Sequence, residues 1–142
     1  MANSNKPKEK PILVHQLDAL PVYKDIKDLR KYFLLNVYKH LSNDMRHSVG
    51  TMILTLFFTS VEHLSKLVNT HDKDVKIQCL NAFLNDYEIL LDRIEFLTDV
   101  NEIDYHRTAV LFAALNQITE QMGSFRKALK NPISSQNPQA TA

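Results

Sequence analysis

The sequence predicts an all-α protein, an antiparallel up-down four-helix bundle, and three observations carry that reading. Apolar residues recur at spacings of three and four in four long stretches, the period of helices that each bury one face. Only 2 of 142 residues are Gly, which excludes fibrous and loop-rich designs. Three short polar breaks, Ser42-Asn43-Asp44, Asn69-Thr70-His71-Asp72 and Asp99-Val100-Asn101, separate the stretches, and long helices joined by short connections alternate in direction. The length and a hydrophobic content of 44% fit one domain, placed at residues 17–131.

The first helix opens at Pro21, because proline is pre-set for the first helical turn and the N–H it lacks would be unpaired there anyway. Val22, Ile26, Leu29, Phe33 and Val37 form its inward face, and it is expected to end near Leu41. The second helix, from about Arg46 to Val68, is expected to turn Met52, Ile53, Leu56, Val61, Leu64 and Val68 inward, with Phe57 and Phe58 widening the stripe. Asp72 is placed as the N-cap of the third helix, since its carboxylate can accept an orphan backbone N–H. In that helix Ile77, Leu80, Leu84, Tyr87, Leu91 and Ile94 read as the seam, flanked by Phe83, Leu90 and Leu97. The fourth helix starts near Asp104, is lined by Leu111, Leu115, Ile118, Met122, Phe125 and Leu129, and stops at Asn131-Pro132. Gly123 inside it costs about 1 kcal/mol relative to Ala, so a close helix contact is expected there.

Residues 1–16 and 132–142 lack periodicity and are expected to be disordered tails, the first one basic. The N-terminus shows no signal-peptide pattern. The most apolar run, residues 49–61, is too short and too rich in Thr for a membrane span, which needs ~20 apolar residues. A cytoplasmic location without membrane contact is therefore expected.

Little in the chain points to catalysis. Cys79 stands alone and lies beside the apolar seam, where a buried structural thiol is the ordinary reading. The Glu-x-x-His pairs of di-metal bundles do not occur, and Glu62-His63 are adjacent, so they point to different faces. The six His are scattered near helix ends and loops and read as solvated or capping groups. With no phosphate-cradling Gly loop and no triad, the expectation is a protein that is not an enzyme and takes no cofactor or metal.

The net charge of +1 hides a division. In an up-down bundle the start of helix one, the end of helix two, the start of helix three and the end of helix four share a pole. That pole sums to +5 and the opposite one to −4. Lys24, Lys27, Arg30 and Lys31 approach the positive pole from one side, and Arg126, Lys127 and Lys130 from the other. Clustered cations suit a phosphate backbone, because each neutralised phosphate releases counterions. They also suit an ordinary charged surface or the dipole at a helix end. Tyr23, Tyr32 and Tyr38 on the first helix read either as platforms for unpaired bases or as core flank. The apolar stripes of helices two and three exceed one seam, which favours self-association.

Several runs resemble a bacterial four-helix-bundle family. These are Leu20-Pro21-Val22-Tyr23-Lys24, Asp28-Leu29, Ser48-Val49-Gly50, Asp99-Val100-Asn101-Glu102-Ile103 and Gln121-Met122-Gly123-Ser124-Phe125-Arg126-Lys127. The family includes the accessory variability determinant (Avd) of diversity-generating retroelements and proteins encoded in intervening sequences of ribosomal RNA genes. The likeness spans residues 17–130 and lies mostly in packing and turn residues. It implies a homopentameric barrel that binds a reverse transcriptase and its template RNA, or other nucleic acid, and supports mutagenic cDNA synthesis without an active site of its own. The chain departs from the family at Phe125, where a Trp is usual, and at Glu95, where an Arg is expected. The second departure confines the RNA contacts to the N-terminal lysines and to Lys24, Lys27, Arg30, Lys31, Arg126, Lys127 and Lys130. A protein-interaction scaffold of the intervening-sequence type, without nucleic-acid contact, is the alternative.

Overall fold

In a computed structural model the described residues, 17–131, are helical apart from short turns. Helix α1 (Pro21–Asn36) leads through a 3₁₀ turn (Tyr38–His40) into a helical turn (Asn43–Met45) and a π turn (Arg46–Gly50), which run directly into α2 (Thr51–Asn69). Helices α3 (Lys73–Asp99) and α4 (Tyr105–Lys130) complete a four-helix bundle. The expected tails lie outside the described residues.

The α1 stripe is buried as expected, from Val22 through Ile26, Leu29 and Phe33 to Val37. The helix itself stops five residues early. Beyond Asn36 the chain tightens, and Tyr38 and Leu41 fold back over Gly50; a Cβ on Gly50 would lie 3.0 Å from each side chain. The helical stretch leading into α2 begins at Asn43, three residues before the expected start, and becomes regular α-helix only at Thr51. Ser48 Oγ donates to Asp44 O at 2.6 Å and Thr51 Oγ1 to Arg46 O at 3.0 Å, local bonds that accompany the widened turn.

The inward face of α2 is Ile53, Phe57, Ser60, Leu64 and Leu67. Met52 and Phe58, assigned to the core stripe by sequence, are 44% and 56% exposed. Adjacent helical residues point about 100° apart, so a Phe57-Phe58 pair places only one ring in a core. In α3 the seam is Leu80, Phe83, Tyr87, Leu90, Ile94 and Leu97, whereas Ile77, Leu84 and Leu91 are only partly buried. In α4, Leu111, Leu115, Ile118 and Met122 are inside, but Phe125 is 39% exposed. Gly123 also differs from expectation: nothing lies within 4 Å of where its Cβ would be.

An aromatic chain ties three helices at mid-height. The Phe33 and Phe57 ring centroids are 5.9 Å apart, Phe57 meets Tyr87 edge-on at 6.5 Å, and Phe83 stacks on Tyr87 at 4.5 Å. Each buried ring contributes roughly 1.5–3 kcal/mol of burial, with about 0.5–1.5 kcal/mol more for each well-oriented pair.

Polar caps set the helix ends. The Asp72 carboxylate accepts from Asp74 N at 2.9 Å and Val75 N at 3.3 Å, as its sequence position predicts. The end of α3 is a Schellman motif. Asn101 takes φ of 63°, Glu102 N donates to Leu97 O at 2.8 Å, and Asn101 N donates to Thr98 O at 3.0 Å. Asp104 then caps α4 through a 2.7 Å bond from Arg107 N, and this bond holds its carboxyl below the usual range. Glu102 also accepts from Ser42 N at 2.8 Å, joining the two loops at this end.

Candidate nucleic-acid interface and flanking grooves

The structure divides the seven cations assigned by sequence into two groups. Positions 27, 30 and 31 follow the i, i+3, i+4 spacing of one helical face. They put Lys27, Arg30 and Lys31 on the α2-facing edge of α1, over a groove of about 340 Å³ floored by Leu34, Leu54 and Phe58. Two of these cations are already engaged. The Lys27 ammonium lies 4.6 Å from the Tyr23 ring centre and 3.6 Å from Asp18 Oδ1, and the Arg30 guanidinium lies 4.9 Å from the Phe58 ring centre. Lys31 is exposed and has no ion-pair partner among the described residues.

The second group sits at the end of α4. Gln121 Nε2 donates to Asp25 Oδ2 at 2.7 Å, and Arg126 Nη1 donates to Asn81 Oδ1 at 2.9 Å. These bonds bring the start of α1, the first third of α3 and the last turns of α4 to one end. Lys127 and Lys130 lie in the last turn of α4, where they complement the helix dipole, and both are exposed, as is Lys24 on the first turn of α1. Among the described residues none of these three has an ion-pair partner. The tyrosines are not open stacking platforms. Tyr23 carries Lys27 over its ring, Tyr38 packs on Phe33 and beneath Gly50, and Tyr32 lies partly buried against the core.

A groove of opposite charge, about 370 Å³, lies between the π turn that leads into α2 and the last third of α3. Asp92, Glu95 and Asp99 line it with Val49, Arg93 and Phe96. Arg93 is already held by the Asp92 carboxylate and by Met52 Sδ, 3.1 Å from its Nε, so the groove is net acidic. Glu95 faces this groove.

Sequence reading missed a polar cluster between α2 and α3. His63, expected to be solvated or capping, places Nε2 3.2 Å from Asp86 Oδ2, and Asp86 is buried. The two are separated by 23 positions and meet only because α2 packs on α3. Burial raises the Asp86 carboxyl above its ordinary value, with the nearby His63 opposing the shift. Next to it the enclosed Tyr87 phenol is also pushed up by burial, and Ser60 beside it donates to Phe57 O at 2.7 Å. No local signal marks the pair, because its two residues lie on different helices and meet only through packing. Among the described residues no three His, Cys, Asp or Glu side chains gather closely enough to hold a metal ion, and no helix is long and apolar enough to cross a membrane.

Fold and surface together define a helical bundle with a cation-lined groove on one flank, an acid-lined groove on another and a basic end. Comparison with protein-family models, with curated proteins and with solved structures finds no match to this chain.

Proposed function

We propose that the chain is a non-enzymatic accessory protein of a diversity-generating retroelement, one that holds a reverse transcriptase and its template RNA together during mutagenic cDNA synthesis in the cytoplasm. The family resemblance over residues 17–130 supports this reading, as does the gathering at one end of exposed cations that have no ion-pair partner among the described residues. The single observation that carries the RNA contact is Lys24, Lys127 and Lys130, brought to that end by the Gln121–Asp25 and Arg126–Asn81 bonds. Phosphates attract such cations without base contacts, which suits recognition of an RNA by shape and charge.

The bundle is read as antiparallel. Met52 meets Arg93 and His63 meets Asp86, so numbers rise on α2 as they fall on α3. Asp25 with Gln121 and Asn81 with Arg126 relate α4 to α1 and α3 in the same opposed sense. Several such bundles, five in the resembling family, would form the assembly.

The test is RNA affinity of the full chain carrying Lys24→Glu, Lys127→Glu and Lys130→Glu. A large loss of affinity with unchanged helicity supports the proposal; unchanged affinity refutes the RNA contact. The acid-lined groove favours a second reading, a scaffold of the intervening-sequence type that binds protein alone. On that reading a partner is retained while RNA never binds.

A further inference from the structure

The two grooves carry opposite charge. The α1–α2 groove is lined by three cations above an apolar floor, with Lys27 also 3.6 Å from Asp18 Oδ1 and Phe58 56% exposed. The α2–α3 groove presents three acids, one Arg already occupied by Asp92, and Phe96 41% exposed. The two grooves open on different sides of α2: at 100° per residue Met52, beside the acidic groove, stands about 120–160° around the helix from Leu54 and Phe58. An exposed aromatic rimmed by charge is an ordinary mark of a contact surface, and apolar rings of this size are costly to leave in water.

We infer that the cation-lined α1–α2 groove of one copy receives the acid-lined α2–α3 edge of a second copy, head to tail. Phe96 of the second copy enters over Leu34, Leu54 and Phe58, and Glu95 and Asp99 face Lys27 and Lys31. Charge complementarity fixes the register and disfavours like faces meeting, since cation on cation and acid on acid both repel. Because the two faces differ, the contact is heterologous. Each copy keeps one face unused until the chain of copies closes into a ring or extends as a filament. The inference rests on the self-association part of the proposed function and not on its RNA part. It assigns Lys27, Arg30 and Lys31 to the contact between copies, leaving Lys24, Arg126, Lys127 and Lys130 for RNA.

Two full-length variants test it. One reverses the basic face with Lys27→Glu and Lys31→Glu; the other reverses the acidic face with Glu95→Lys and Asp99→Lys. Circular dichroism checks their folding, and Lys27→Gln with Lys31→Gln replaces the first variant if it does not fold. Sedimentation velocity of wild type, of each variant and of their equimolar mixture is the readout. The expected result is assembly of the wild type, monomers for each variant alone, and recovery in the mixture of assemblies that contain both chains. Assembly of either variant alone at the wild-type mass overturns the inference while leaving self-association standing, and so does a mixture that stays monomeric. A wild type that stays monomeric at every concentration overturns the self-association reading as well. Loss of RNA binding by the basic-face variant with unchanged mass also overturns the inference, because the groove is then a nucleic-acid site.

Discussion

The two glycines of this chain receive opposite predictions from the same substitution. Replacing a helical Gly by Ala removes backbone freedom from the unfolded chain and is worth about 0.8–1 kcal/mol where space allows. At Gly123 nothing lies within 4 Å of the new Cβ, so Gly123→Ala stabilises the protein by nearly that full amount. At Gly50 the same methyl meets Leu41 Cδ1 at 3.0 Å, Tyr38 Cδ2 at 3.0 Å and Tyr38 Cε2 at 3.2 Å. Both neighbours are fixed. Leu41 is buried, and Tyr38 belongs to a 3₁₀ turn whose ring packs on Phe33. Overpacking of this kind costs about 1–3 kcal/mol, which exceeds the propensity gain and leaves Gly50→Ala destabilised by up to about 2 kcal/mol. Urea unfolding of the two variants beside the wild type measures the difference as opposite shifts in midpoint at constant slope. If Gly50→Ala were stabilised as much as Gly123→Ala, the close packing of the α1–α2 connection would be refuted.

The remaining substitutions probe the core and the buried polar pair. Phe57→Ala, at the centre of the aromatic chain, should cost about 3–5 kcal/mol in urea unfolding, whereas Phe58→Ala should leave the monomer's stability within about 1 kcal/mol and weaken only the assembly. Because burial raises the Asp86 carboxyl in the folded state, that state holds its proton to higher pH than the unfolded chain does. Its contribution to stability is therefore fully present below the unfolded carboxylate range and falls as pH rises through the raised folded value. Asp86→Asn should gain on the wild type as pH rises across that window, with His63 beside it and Arg30 near Tyr87 unchanged. A stability difference independent of pH would contradict the burial argument.

The sequence made the helices legible more fully than their contacts. The α1 stripe was readable because its apolar residues occupy one narrow face, with Lys and Asp on the rest. Helix α3 is apolar on two adjacent stripes, and periodicity cannot tell which of them meets the core; packing chose the one through Leu80, Phe83, Tyr87 and Leu90. The Asp72 cap was readable because it depends on local chain chemistry alone. The grooves were not, although every cation and acid in them was visible. Which of them share a groove depends on how α1 and α3 pack against α2, a non-local fact. The His63–Asp86 contact was hidden for the same reason.

The central claim is that the basic end binds RNA through phosphates, and the salt dependence of that binding tests it most directly. Fluorescence anisotropy of a single-stranded RNA with the full chain, over a range of salt concentrations, gives the slope of log affinity against log salt. Three to four phosphate contacts per chain predict a slope of about −2 to −3, reduced toward zero by Lys24→Glu, Lys127→Glu and Lys130→Glu together. An affinity that does not change with salt, or a slope that the three reversals leave intact, would contradict the account.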